Sequence, residues 1–208
     1  MTYYALRSSR NNDLLFEGRF LSFVACLEQA VRDRISLPHL DLSRKNLSNA
    51  NLDDAILPDA DFTQTNLSGV NLSESTLKGA RFHGAALYNA CLADSNLTGC
   101  DFQSASFGGT DIHNTILSQA RFSTLSCFSL DFTRTRHMGG CLFVNSDGSV
   151  SKMSRPPLVI KGLGHDPVIV LDEEVRAGHN RIDHTRLAAL AQKLSTRELR
   201  RRLSSGRF

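Results

Sequence analysis

The stretch NLDDAILPDADFTQTNLSGVNL, Asn51 to Leu72, places Leu52, Leu57, Phe62, Leu67 and Leu72 five residues apart. The spacing continues outward from Leu37 to Phe132 over twenty consecutive positions, all Leu, Phe or Ile except Cys127. Two places before each sits a small residue in most cases, as at Ala50, Ala60, Ala80 and Ala120. Neither common element accommodates this period. On an α-helix five residues advance about 500°, so no apolar stripe forms. In a flat strand the odd step sends alternate leucines to opposite faces. A chain that turns after each short extended piece escapes both problems. The small and the large residue then share the inward face, and the two residues that follow turn the corner. Asn49, Gly69, Gly79, Gly84, Asn89 and Gly109 are suited to such corners, as are Pro38 and Pro58.

The number of sides per coil follows from the aromatic residues. Phe62, Phe82, Phe102 and Phe122 are spaced by twenty, or four five-residue units. In a four-sided coil they stack on one side, where rings meet rings. The expectation is an all-β solenoid, a quadrilateral β-helix of about five coils over residues 36–135. At about 4.8 Å per strand it is a rod about 24 Å long.

The units Ala50-Asn51-Leu52, Ala60-Asp61-Phe62 and Val70-Asn71-Leu72 resemble those of the pentapeptide-repeat family. That resemblance covers about half the chain and implies a right-handed quadrilateral β-helix. A looser resemblance joins residues 158–182 to a C-terminal module of bacteriophage pentapeptide-repeat proteins. It implies a phage or prophage origin and no activity.

Two flanking regions complete the organisation. Residues 1–35 form an N-terminal cap. In FVACLEQAVRDRI (Phe23–Ile35), Val24, Leu27, Val31 and Ile35 make a helical stripe after a capping Ser22, which predicts an amphipathic lid on the first coil. The upstream DLLFEGRF predicts a strand. Residues 136–208 form a small β/α module. CLFVNSDGSVSKM reads as two strands around a Ser-Asp-Gly turn, PPLVIKGL and PVIVLDEEVRAG as three more, and DHTRLAALAQKL and STRELRRRL as helices.

Composition narrows the function. Of 208 residues, 41% are hydrophobic and 22% charged, as in a globular protein. No apolar run spans a bilayer, and the N-terminus lacks a signal pattern, so a cytoplasmic, membrane-free protein is expected. The five cysteines are scattered without a C-x-x-C pair, which reads as reduced packing thiols rather than a disulfide framework or zinc site. His165, Asp166, His179, Asp183 and His184 cluster in sequence without a metal-ligand spacing and read as polar loop residues. Gly162 and Gly164 lack a strand–helix context for nucleotide binding. His83 and His113 fall at different corners. A tube filled with Leu and Phe leaves no internal pocket. The expectation is therefore a non-enzyme without metal or cofactor.

Charge is unevenly spread. Residues 36–135 hold 6 basic and 10 acidic groups, and residues 136–208 hold 13 and 7. Sorted by side, the outward positions beside Leu52, Leu72, Leu92, Ile112 and Phe132 carry Asp53, Asp54, Glu74, Asp94, Asp111 and Asp131, against Arg134. The resemblance to the pentapeptide-repeat family here implies DNA mimicry, because family members of this kind occupy DNA sites on gyrase or related enzymes. The expected partner is a host nucleic-acid-processing protein, a defence nuclease complex or a topoisomerase, inhibited by this acidic side. Six carboxylates fall short of the about 14 phosphate charges on the same length of duplex. The gyrase-directed members are typically longer coils, often dimerised through a C-terminal helix or interrupted by loops, whereas this coil has no interrupting loop and its C-terminal module is different. The alternative places function in the basic tail, Arg197, Arg200, Arg201, Arg202 and Arg207, binding nucleic acid or an anionic partner with the coil as spacer. The same tail could dock on the acidic side of a second copy, giving a homodimer through the C-terminal module.

Overall fold

The computed structural model describes residues 1–161 and 166–183. Its centre is a four-sided parallel ladder. Isolated parallel bridges join residues twenty apart on every side: Ser36 to Ile56 and on to Thr76 and Asn96, Asp41 to Asp61, Asn46 to Asn66, Asn51 to Asn71. Two rungs lengthen into short strands, β3 (Asp101–Phe102) and β4 (Arg121–Phe122), paired in parallel. All twenty residues of the period-five series are buried, from Leu37 to Phe132.

Each local feature of the unit has a physical cause. The corner is a β-turn such as Leu47 to Ala50, closed by Ala50 N–H donating to Leu47 O at 3.1 Å. Its third residue is left-handed without interruption from Arg34 (φ 55°) through Asp54, Gly69, Glu74 and Asp94 to Gln119 (φ 63°). The Asn or Asp that precedes the large inward residue folds back on the turn. Asn46 Oδ1 accepts from Ser48 N–H at 3.1 Å and Asp61 Oδ1 from Thr63 N–H at 2.9 Å. The amide group left over reaches the next rung: Asn66 Nδ2 donates to Asn46 Oδ1 and Asn71 Nδ2 to Asn51 Oδ1, both at 3.1 Å. Where the small inward residue is polar, its hydroxyl is paired. Thr65 Oγ1 donates to Leu42 O at 2.7 Å and Ser75 Oγ to Leu52 O at 3.0 Å, so neither is a buried orphan.

The phenylalanines stack. Ring centroids of Phe62 and Phe82 lie 4.8 Å apart and those of Phe82 and Phe102 also 4.8 Å, with planes within 12°. Phe102 and Phe122 follow at 5.3 Å.

The ladder departs from the expected regularity after Phe122. Residues Leu125–Ser129 and Phe132–Arg134 form 3-10 turns instead of extended rungs. The bridge spacing then becomes twenty-one, Ile116 with His137 and Arg121 with Leu142. Leu125 and Leu130 occupy the positions that hold Ala, Ser, Thr, Val or Cys in the middle coils. The chain there takes up one extra residue per coil. The parallel ladder thus crosses the expected boundary at 135 and ends on β5 (Leu142–Val144), where Phe143 pairs with Phe122.

At the N-terminal end, β1 (Thr2–Arg7) and β2 (Leu14–Phe20) form an antiparallel hairpin; the sequence reading anticipated β2 alone. The helix α1 (Phe23–Arg32) starts at Ser22, whose Oγ accepts from Ala25 N–H at 3.0 Å. Cys26, Leu27, Ala30 and Val31 are buried in the same core as Leu37 and Leu42, while Val24 and Ile35 pack partly buried at its margin. Glu28 Oε1 accepts the N–H of Asn51 at 2.9 Å, on the rung that has no coil beneath it to bond. At the other end, β5 turns through Gly148 into antiparallel β6 (Val150–Lys152). A second sheet has the order β10-β9-β8-β7, from β7 (Leu158–Ile160), β8 (Val168–Val170), β9 (Val175–Ala177) and β10 (Asn180–Arg181). Met153, Ile169 and Leu171 extend the tube's core into this region. The expected C-terminal helices, the arginines from Arg197 to Arg207, and Gly162, Gly164, His165 and His184 lie outside the described residues.

Candidate functional site

With its twenty large residues packed inside, the tube offers function only its exterior. The outward corner residues form four columns, one per side, each rung about 4.8 Å above the last. Three columns contain glycine: Gly79 and Gly99 in one, Gly84 in another, Gly69 and Gly109 in the third. The fourth reads Arg34, Asp54, Glu74, Asp94, Asn114 and has none, although every one of its residues has positive φ. A non-glycine residue there costs about 1 kcal/mol or more, least for Asn and Asp. Glu74 has neither the glycine freedom nor the short side chain that offsets this cost.

The six residues of the acidic side, Asp53, Asp54, Glu74, Asp94, Asp111 and Asp131, are all exposed. Their roles differ. Asp111 Oδ1 accepts from His113 N–H at 2.9 Å, and Asp131 caps the 3-10 turn at Phe132 by accepting from Thr133 N–H at 3.2 Å. These two carboxylates hold their own turns. Ser73 Oγ donates to Asp53 Oδ1 at 2.5 Å, and Asn114 Nδ2 donates to Asp94 Oδ1 at 2.5 Å. Asp54 Oδ2 pairs with Arg34 Nη2 at 3.2 Å. Arg34 is a counter-charge the sequence reading missed, because it was assigned to the helix. Its left-handed φ, five residues before His39, makes it the first corner of the tube. Arg134 lies one rung beyond Asn114, whose N–H donates to its carbonyl at 2.8 Å. The acidic patch is therefore bracketed by arginine at both ends, with Glu74 at its centre.

The side opposite in character carries no charge on Asn46, Asn66, Ala86 and Ser106 and exposes Tyr88. Asp41, on a third side, is held below the usual carboxylate range by the Ser43 hydroxyl that hydrogen-bonds it, against the effect of its partial burial. Burial pushes the Cys100 and Cys127 thiols up, and that of Cys141 to about 12. Among the described residues no group of three or more His, Cys, Asp and Glu could hold a metal ion, and no helix is long and apolar enough to cross a membrane. His83 and His113 stand at separate exposed corners, as expected.

One polar cluster had no sequence signal. Arg176 is 1% exposed. Its Nη1 donates to Glu174 Oε1 at 2.8 Å and to Asn145 Oδ1, and its guanidinium lies 5.0 Å over the Phe143 ring. Glu174 also pairs with Arg181. The sequence places DEEVR within the β candidate PVIVLDEEVRAG, and the approach of the β5–β6 hairpin buries its arginine.

These features define a class: a four-sided parallel solenoid with a filled interior. Residues 39–119 are a run of pentapeptide repeats: they match the model "Pentapeptide repeats" in eight copies, over 39–69, 46–84, 57–92 and 80–119. Proteins of this kind fold as right-handed β-helices. Three solved structures are similar to part of the chain. Rfr23 from the cyanobacterium Cyanothece 51142 is 22% identical over 51% of this chain and 82% of its own, with a TM-score of 0.42. HetL from Nostoc sp. strain PCC 7120, involved in heterocyst differentiation regulation, is 23% identical over 53% of this chain and 55% of its own, at 0.39. QnrB1, a plasmid-mediated fluoroquinolone resistance protein, is 19% identical over 52% of this chain and 62% of its own, at 0.37. No curated protein matches the chain.

Proposed function

We propose that this protein is a non-catalytic interaction protein, phage or prophage encoded, that acts in the host cytoplasm. The acidic side of its right-handed coil, with α1 as lid on the first rung, occupies the DNA-binding surface of a host nucleic-acid-processing enzyme. A defence nuclease complex or a topoisomerase is the target class. The observation that carries this reading is the glycine-free corner column. Asp54, Glu74 and Asp94 hold three exposed carboxylates on consecutive rungs at positions where the backbone favours glycine or asparagine. Asp111 and Asp131 are accounted for by their turns, so the active part of the strip is the Asp53, Asp54, Glu74 and Asp94 group. That is a short patch of phosphate-like charge, matched to one cationic groove rather than to a whole duplex length.

The test uses displacement. Bacterial DNA-binding proteins held on duplex DNA-cellulose are challenged with the purified full chain at fixed salt. A discrete enzyme is expected to elute, and the triple variant Asp54→Asn, Glu74→Gln, Asp94→Asn is expected to elute it at least tenfold less well. Asparagine and glutamine already occupy left-handed corners at Asn49 and Gln64, so the variant keeps the fold. Failure to displace any protein, or equal displacement by the variant, refutes the proposal.

A further inference from the structure

The N-terminal hairpin has a strand edge that the coil does not use. Past Arg7, β1 runs on to Ser8, which bridges Leu40 of the first coil, and Ser9 N–H donates to His39 O at 2.9 Å. β1 is therefore the strand that joins the tube here, and β2 is the outer one. With seven residues β2 is the longest strand among the described residues. In a two-stranded sheet every second residue of β2 turns its N–H and C=O away from β1. These groups meet no other backbone partner among the described residues.

The sequence of β2 is complementary to itself. Phe16-Glu17-Gly18-Arg19-Phe20 reads alike from both ends, with opposite charges at its two charged positions. Two copies paired antiparallel, Gly18 opposite Gly18, set Glu17 against the partner's Arg19 and Arg19 against the partner's Glu17. The same register sets Phe16 against the partner's Phe20 and Leu15 against the partner's Leu21. A slip of one residue puts Glu17 opposite phenylalanine or glycine and loses both charge pairs. A slip of two brings Arg19 onto Arg19 or Glu17 onto Glu17. Glu17 and Arg19 are both exposed; Glu17 accepts from the Tyr3 hydroxyl, and Arg19 has no partner among the described residues. Leu21 is 82% exposed. The Phe20 ring covers Gly18, where a Cβ would stand 2.7 Å from its Cε2. Glycine on the axis lets the two backbones meet with no side chain between them.

We infer that two copies of this chain join at their N-terminal ends, β2 against β2, in a two-fold contact that makes one antiparallel sheet of order β1-β2-β2-β1. Backbone hydrogen bonds hold the joint, and the crossed Glu17–Arg19 pairs set its register. The contact uses residues 14–21 and nothing of the acidic column or the C-terminal module, so it stands or falls apart from the proposed function.

The test reads the oligomeric state of the full chain by sedimentation equilibrium over a range of concentrations. The native chain is expected to dimerise. Glu17→Arg alone and Arg19→Glu alone each turn both attractive pairs into like-charge pairs, and each is expected to weaken the dimer by about tenfold or more. An equimolar mixture of the two variants restores opposite charges across the joint, and so does the double variant Glu17→Arg, Arg19→Glu; both are expected to recover association. The exposed positions of the two side chains leave the fold intact, and unchanged thermal unfolding of each variant checks this. A native chain that stays monomeric at millimolar concentration overturns the inference. So does a dimer that the single variants form as tightly as the native chain, or a mixture of folded variants that stays monomeric.

Discussion

The phenylalanine stack allows one contact to be weighed by subtraction. Phe82 lies between Phe62 and Phe102, each at 4.8 Å, whereas Phe62 has a stacked ring on one side only. Both are fully buried. Leucine fills the equivalent place on neighbouring sides, as at Leu72 and Leu87, so Phe→Leu is tolerated by the tube's geometry. Phe82→Leu and Phe62→Leu delete the same atoms and lose the same transfer free energy. They differ by one ring–ring contact, worth about 0.5–1.5 kcal/mol beyond area burial. Phe82→Leu is therefore expected to be about 1 kcal/mol less stable than Phe62→Leu. In urea unfolding followed by far-UV circular dichroism, a slope of about 2 kcal/mol per molar separates the two midpoints by about 0.5 M. The slopes themselves should agree, since both variants expose the same surface. Coincident midpoints, or a lower midpoint for Phe62→Leu, refute the claim that ring-on-ring stacking stabilises the coil beyond hydrophobic filling.

Other expectations follow from the corners and the buried polar groups. Gly69→Ala places a Cβ 2.3 Å from Asn49 Oδ1 at φ +69°, whereas Gly99→Ala meets nothing within 4 Å at φ +70°. Gly99→Ala should cost about 1 kcal/mol for conformation alone, and Gly69→Ala measurably more in the same urea assay. Glu174→Ala removes the carboxylate partner of buried Arg176 and should cost about 3–5 kcal/mol, read as a lowered thermal midpoint. Cys91, half-buried, should react with a thiol reagent first, while Cys100, Cys127 and Cys141 react only on unfolding, as timed by mass spectrometry. Cys141 titrates near 12 when folded against 9.0 as a free thiol, so its contribution to stability is complete below pH 9 and is lost as the pH climbs from there toward 12.

The inward series, the aromatic spacing and the glycine and asparagine corners could be read from the sequence because each inward or corner position repeats one local requirement every five residues. The capping serine and most of the helical stripe were legible for the same reason. The bulge after Phe122 kept the spacing formally, through Cys127 and Phe132, and only the enlarged residues Leu125 and Leu130 betrayed it. Strand β1 was missed because TYYALR shows no alternation of its own; its inward face exists only against α1. Arg34 and Arg176 were illegible for a common reason. Arg34 follows the helix end and pairs with Asp54 twenty residues on, and Arg176 lies in β9, buried against Asn145 and the Phe143 ring more than thirty residues back. The sequence could not divide the carboxylates that hold their own turns, Asp111 and Asp131, from Asp53, Asp54 and Asp94, which reach to a neighbouring rung.

The bracketing arginines have a consequence for any cationic partner laid along the rod. The backbone offers the same surface every rung, so nothing in the ladder stops such a partner from sliding. Asp54, Glu74 and Asp94 attract it, and a slip of one rung toward either end brings a positive group opposite Arg34 or toward Arg134. For a partner of that kind, repulsion at the two limits would act as a pair of end stops and give a repetitive scaffold a single axial docking position.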